Sequence, residues 1–396
     1  MSLSYFPPGS GAWNLAHIVT QLPESTILFA TPSACSRIIA LSSLEKGLPF
    51  HCLDLSMQEL TLGLTEEKIL EAVPKVLEKS KAKALFIFTA CVDTFIGSDH
   101  EIFLAPLREQ YPDVLFIDAR MDPINRATMP PIVRMHISLS ENFKKTGEEK
   151  AVNILGSFIA PDEDQELVRH LKKHGFEVRH MQNMKTLEEH SRMGNSMLNL
   201  LVCPVGMAAV KALQERLGQP FVNLCGLKNI EELTAVYDDI CDRLGIPHMD
   251  MEAEQKEAQL RIGNAADKLN GRPVVIGGEA HNHAGMIAEA LHKNGISILR
   301  LFDSERKDEH FENIDTEAVE QAKAFAEKRF FAPEAVAVGD TAIYFTGTKH
   351  FYRQIRFNSH FGLYAAVKMA EELAKAANME RDPRKIQKKG HGCSAL

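Results

Sequence analysis

The chain has 396 residues, 45% of them hydrophobic and 25% charged, an ordinary globular composition with room for about two or three domains. Its 53 acidic and 45 basic residues leave a formal net charge of −8, without the concentrated basic face of a nucleic-acid binder. The opening Met1-Ser2-Leu3-Ser4-Tyr5 lacks the parts of a signal peptide, and no apolar run reaches the roughly 18 residues of a membrane span. The expectation is a cytoplasmic protein with no membrane or nucleic-acid partner. The basic tail from Arg381 to Lys389 reads as a solvated terminus.

Residues 1–150 alternate apolar strands with amphipathic helices. The first clear strand is Thr26–Ala30, which ends in Thr31-Pro32-Ser33-Ala34-Cys35 before a helix-like run. A helix spans roughly Thr65 to Ser80, with a kink expected at Pro74. It feeds the strand Ala84–Thr89, which runs into Ala90-Cys91-Val92-Asp93. Another strand, Val114–Asp118, follows a short helix. Alternation of this kind implies right-handed βαβ units and a parallel sheet.

The pattern restarts in residues 151–250. Ala151–Gly156 is a strand leading into a turn, and Pro161-Asp162-Glu163-Asp164 suits a helix start. The helix Gln165–His174 stops at Gly175, and Phe176–Val178 is the next strand. The stretch from Leu198 to Ala209 reads as a buried strand that ends at Cys203 and turns directly into a helix. That helix ends near Leu217 at Gly218-Gln219-Pro220. A strand at Phe221–Leu224 and a helix from Ile230 to Leu244 follow.

Residues 251–396 form a third unit. Met251–Leu269 reads as an exposed connector helix. Arg272–Ile276 is a strand with a glycine turn at Gly277-Gly278, followed by the helix Ala284–Asn294 and the strand Ile296–Leu301. A long helix, Gly362–Ala377, closes the chain. The fold class expected is α/β, with three Rossmann-like domains whose parallel sheets surround a central crevice.

The seven cysteines are odd in number and widely spaced, which is not a disulfide framework, and close C-x-x-C pairs of the zinc-site kind are absent. Cys35, Cys91 and Cys203 all fall at strand ends. Ligands of open α/β sheets bind there, and a thiolate is a soft ligand suited to iron–sulfur chemistry. The alternative for Cys203 is a small buried hydrophobe. Cys225, also at a strand end, is a reserve candidate. Cys52 and Cys241 read as core, and Cys393 as an exposed tail residue.

Gly277-Gly278 reads as a tight turn, since neither a complete G-x-G-x-x-G nor a P-loop is present. The chain is therefore not expected to hydrolyse ATP itself. No G-x-S-x-G elbow supports a hydrolase. His281 and His283 read as surface histidines, with a reach into the crevice as the alternative. His350 and His360 are treated in the same way.

Much of the chain, roughly residues 5–380, resembles nitrogenase component 1. The most specific similarity lies in Val152–Gly156, Asp164–Leu167 and Leu198–Leu224 with the Gly218-Gln219-Pro220-Phe221 turn. The resemblance implies a nitrogenase-like oxidoreductase subunit. Such a subunit receives electrons from a separate ATP-dependent iron–sulfur reductase and works as a homo- or hetero-oligomer with a homologous subunit. It implies an iron–sulfur cluster of 4Fe-4S type, with Cys35 and Cys91 as metal ligands and Ser10 where the family carries a further cysteine. Either Ser10 ligates as an alkoxide, or two thiolates from each of two chains share one cluster. Cys203 is similar to the cysteine that anchors a second metallocofactor. For that cofactor's late histidine, His350 and His360 are candidates, and Arg356 is the alternative occupant. A scaffold for cofactor assembly is the second function implied.

Overall fold

The computed structural model describes residues 22–33, 35, 50–120, 129–303, 316–318, 332–354 and 358–383. Among the described residues, the strands form three wholly parallel sheets. The first is built from β1 (Ser25–Thr31), β2 (Phe50–Asp54), β3 (Ala84–Phe88) and β4 (Leu115–Asp118), in the spatial order β2-β1-β3-β4. The second holds β5 (Glu149–Leu155), β6 (Glu177–Arg179), β7 (Ser196–Leu201) and β8 (Phe221–Asn223), in the order β6-β5-β7-β8. The third holds β9 (Val274–Gly277), β10 (Ile298–Asp303), β11 (Thr316–Ala318), β12 (Val336–Val338) and β13 (Phe351–Tyr352), in the order β11-β10-β9-β12-β13.

The central strands are continuous apolar runs because helices cover both faces of each sheet. Every residue of β3, Ala-Leu-Phe-Ile-Phe, is buried. Its odd and even side chains enter two separate cores, with Phe86 and Phe88 in one and Leu85 and Ile87 in the other. Helix ends follow local chemistry. The Met207–Leu217 helix stops at Gly218 (φ 64°), and the Ile230–Leu244 helix stops at Gly245 (φ 63°). Both residues adopt the left-handed conformation that glycine takes without a steric penalty. The Thr65–Ser80 helix runs unbroken through Pro74, held by buried Ile69, Val73 and Val76.

Two expectations change. Cys52 is exposed rather than core, because β2 is an edge strand. The Met251–Lys268 helix is no bare connector. Ala258, Ile262 and Ala265 share one core with Met369, Leu373 and Ala377 of the closing helix. Small residues at helical spacing let the two helices lie close together, while Arg261 on the same helix pairs with Glu371 at 2.8 Å. Among the described residues, no helix is long and apolar enough to cross a membrane.

The second and third sheets are joined through Glu166. Its buried carboxylate accepts the amides of Leu363 (2.7 Å) and Tyr364 (3.2 Å) and the hydroxyl of Tyr237 (2.9 Å). Gly362 (φ 65°) leaves the space this carboxylate fills, and a Cβ there would overlap both Glu166 Oε1 and Tyr237 Oη. Gly362→Ala is therefore expected to destabilise the chain by about 3 kcal/mol. Urea unfolding at neutral pH checks this, and an unchanged midpoint would reject the tie.

Candidate functional site

Each sheet has one point where the strand order reverses, and ligands of open α/β sheets bind outside the strand ends there. In the first sheet it lies between β1 and β3, whose register pairs Phe29 with Phe88. Cys35 follows β1 and Cys91 follows β3, so two half-buried thiols flank the reversal. The Cys35 loop is held by its amide to the Pro32 carbonyl (2.8 Å) and by the Ser33 amide to Asp54 Oδ1 (2.7 Å). Behind Cys91, Asp93 accepts the Ala90 amide at 3.1 Å, and burial raises its carboxyl above the usual range. His100 meets Asp118 at 2.9 Å, and its Nε2 is buried with no hydrogen bond among the described residues. Phe95 and Ile96, on the helix that Cys91 opens, and Ile102 on the next helix are exposed, Phe95 at 73%. Ser10 and Arg356 lie outside the described residues, as does Cys393.

In the second sheet the reversal lies between β5 and β7. Gly156 (φ 93°) follows β5, and a Cβ there would sit 2.6 Å from the Cys203 carbonyl. Cys203, 1% exposed, follows β7 in extended conformation. Cys225 follows the neighbouring β8, with its thiol 3.6 Å from the Leu201 carbonyl. Burial, with Cys203 as the second cause, pushes the Cys225 thiol well above its ordinary value. Ser157 bonds His180 Nε2 at 3.0 Å and Ser359 Oγ at 2.5 Å, and Ser359 also meets the Ile159 carbonyl. His136 lies flat on Phe158, with ring centroids 5.2 Å apart.

In the third sheet the reversal lies between β9 and β12. The Glu279 carboxylate fills it, accepting the Thr341 amide at 2.6 Å. Gly277 and Gly339 make room for this group, since a Cβ on either would come within 2.9 Å of it. The requirement at Gly277 is thus space for a carboxylate, and its own φ is negative. Burial raises the Glu279 carboxyl, and Asp340 beside it pairs with Arg353 at 3.0 Å.

The second and third reversal points meet. Asn282 donates to the Val202 carbonyl (3.4 Å), and the Gly226 amide donates to His283 Nε2 (3.0 Å). His281 donates from Nε2 to the His360 carbonyl (2.8 Å) and accepts the His283 amide at Nδ1. His281 and His283 are therefore buried at this junction, at 4% and 1% exposure, and are not surface histidines. His360 belongs to the same junction through its backbone, while its ring turns to Asp162 at 3.3 Å. His350 is not brought there. It precedes β13, its carbonyl accepts the Ala337 amide, and it lies at the opposite end of the third sheet from Glu279. Among the described residues, no three His, Cys, Asp or Glu side chains are placed to hold one metal ion.

Ser157, His180, Glu166, Glu279 and Ser359 escaped the sequence reading. Ser157 and Glu279 carried a signal, since each closely follows a predicted strand and its glycine. The others acquire their roles only through contacts between units distant in sequence.

Three parallel sheets, each with one reversal of strand order and two with thiols at the adjoining strand ends, define the class as a multi-sheet, Rossmann-like α/β protein. The chain belongs to the nitrogenase component 1 type oxidoreductase family, which matches residues 17–337. Two solved structures it resembles are described as "Nitrogenase Cp1 at pH 6.5" and "Nitrogenase Cp1 at pH 5". The first matches with TM-score 0.69 and 11% identity over 96% of this chain and 94% of that one. The second matches with TM-score 0.57 and 13% identity over 95% and 90%. At such identities the likeness concerns the fold alone. No curated protein matches the chain in sequence.

His136, His180 and His190 are enclosed, and burial lowers each imidazole from 6.5 to about 4. The unfolded chain protonates these rings near 6.5 and the folded chain only near 4. Their stability contribution is therefore complete above pH 6.5 and is lost as pH falls toward 4. The urea midpoint is expected to fall across this window, and less steeply in His136→Gln. An identical pH slope in that variant would contradict the assignment.

Proposed function

We propose that the chain is a nitrogenase-like component 1 subunit that takes electrons from an ATP-dependent iron–sulfur reductase. It passes them through an iron–sulfur cluster to a substrate or metallocofactor in the crevice beside Cys203. The observation that carries this reading is the pair Cys35 and Cys91, half-buried on either side of the first sheet's reversal point.

The donor set fits a shared cluster. A four-iron cluster takes about four thiolates, and this face offers two. A homologous chain seated on the exposed Phe95, Ile96 and Ile102 would supply the rest. Ser10 is the further candidate ligand. Cys203 is the proposed anchor in the inner crevice, with His360 the candidate whose backbone reaches the same junction, while His350 lies at the other end of the third sheet and drops out of the proposed set. An iron–sulfur cluster supplies one-electron storage and transfer when bound. Around it, Asp54 fixes the Cys35 loop, and Asp93 and the His100–Asp118 pair back Cys91. The inner crevice beside Cys203 is lined by buried Ser157, His180 and Ser359, which are hydrogen-bonded to one another.

Protein purified without oxygen is expected to hold iron and acid-labile sulfide and to give an EPR signal on reduction. Cys35→Ala or Cys91→Ala is expected to lose most of that iron while keeping wild-type circular dichroism. Full iron content in the Cys35→Ala protein, or a folded wild-type protein that takes up none on reconstitution, would overturn the reading. Iron passed to an acceptor protein without substrate turnover would move the assignment to an assembly scaffold.

A further inference from the structure

We propose that the cleft between the second and third units binds a small, uncharged, fused-ring heteroaromatic molecule whose polar edge pairs with Gln255 and Gln259. The cleft holds about 340 Å³ among four helices, Ile230–Leu244, Met251–Lys268, Ala284–Lys293 and Gly362–Ala377. It lies on the seam between the cores of the two units, and Leu363 packs against both. Alanines make the space. Ala258, Ala290 and Ala366 line it from three different helices, where longer side chains would close it. Half-buried Ile230, Met286 and Leu363 add apolar surface around them. Ligand pockets run upward from about 300 Å³, so this volume suits one or two fused rings.

The mouth of the cleft sets the ligand's polarity. Its charges cancel, since Lys228 and Lys293 stand with Glu231 and Glu289. Most of its polar groups are already committed. Lys293 pairs with Glu289 at 2.6 Å, Asn294 donates to the Ala290 carbonyl at 2.8 Å, and Asn229 accepts the Glu232 amide at 2.8 Å. The side-chain amides of Gln255 and Gln259 hold no partner among the described residues. Four residues apart, they share one helix face. Each offers a carbonyl acceptor and an NH₂ donor. Their complement is a molecule with an adjacent N–H and C=O on one edge, as in a lactam. The Met286 thioether favours an aromatic body, and a rigid ring loses little freedom on binding. Leu363 lines the cleft and also donates its amide to Glu166, so a bound ring braces the tie between the second and third sheets. Binding to the folded chain alone stabilises it by mass action.

No cysteine lines this cleft, so its test is separate from that of any cluster. The probe is 2-quinolinone, a two-ring lactam, titrated calorimetrically into the full-length protein. Saturable binding at one site is expected, with a rise in the urea midpoint at saturation. Gln255→Leu and Gln259→Leu are each expected to weaken binding by roughly tenfold, and quinoline, which lacks the lactam edge, to bind more weakly by a similar factor. Ala290→Trp fills the cleft and is expected to abolish binding. No saturable binding to the wild-type protein, or wild-type affinity in Ala290→Trp, would overturn the proposal. Equal affinity for quinoline and 2-quinolinone would overturn the assigned ligand class. Should Ala290→Trp not fold, the two glutamine variants at the mouth carry the test, and wild-type affinity in both would overturn it.

Discussion

The buried carboxylate of Glu166 holds the second and third sheets in one geometry. A helix N-terminus presents amides with no partner inside the helix, and it favours negative charge. Glu166 gives the closing helix that charge from a helix of the second sheet, across about two hundred residues of sequence. The arrangement has a cost, because burial raises the Glu166 carboxyl above its ordinary range despite four stabilising hydrogen bonds. Removing any donor would leave a charge or a dipole unmatched in a dry place. The segment just before the closing helix is positioned by this tie, and it carries Ser359 and His360 to the second sheet. The contacts of Ser157 with Ser359 and of His281 with the His360 backbone depend on it.

Around that tie, one topological rule places different chemistry three times. Each sheet reverses its strand order once, and loops at the reversal splay apart and leave room between them. The first sheet fills that room with two thiols and the third with the Glu279 carboxylate. The second nearly closes it, since Gly156 and Gly206 pack so tightly that a Cβ on either would collide with backbone. Its polar side chains lie beyond this closed point, with Ser157, Cys203 and the turn of His281 and His283 buried and Cys225 half-buried. Glu279 occupies the anion position of the third sheet with the protein's own carboxylate. The Gly277-Gly278 turn follows a strand as a phosphate loop does, but Gly277 leaves its space to the Glu279 side chain.

The fold was largely legible because local pattern governs it. Buried parallel strands are apolar runs, and the helices Thr65–Ser80, Ile230–Leu244 and Gly362–Ala377 carry their boundaries in their own sequence. The three strand-end cysteines were legible for the same reason. Burial was less so. Phe50-His51-Cys52-Leu53 has the composition of a core strand, yet a strand at a sheet edge leaves one side open, and composition cannot reveal spatial order. His281 and His283 flank a polar Asn in a turn, which suggests solvent. They are buried because another sheet's strand ends close over them. The Met251–Lys268 helix looks exposed from its charges, but its alanines meet a helix about a hundred residues away.

The division of donors among loops explains why one chain is an incomplete unit on the proposed reading. A cluster enclosed within a chain needs its ligands on several converging elements, and convergence consumes interior volume. Here the first sheet offers two thiols at its rim, beside apolar side chains left in water. Exposed Phe95 and Ile102 contribute little to this chain's own core, and on that reading they are the surface a homologous chain would cover. Covering them with a like surface would bring a second thiol pair to the first, and a two-fold axis would make the donors equivalent. The loops after β7 and β8 are held differently, by Asn282 and His283 of the chain's own third sheet.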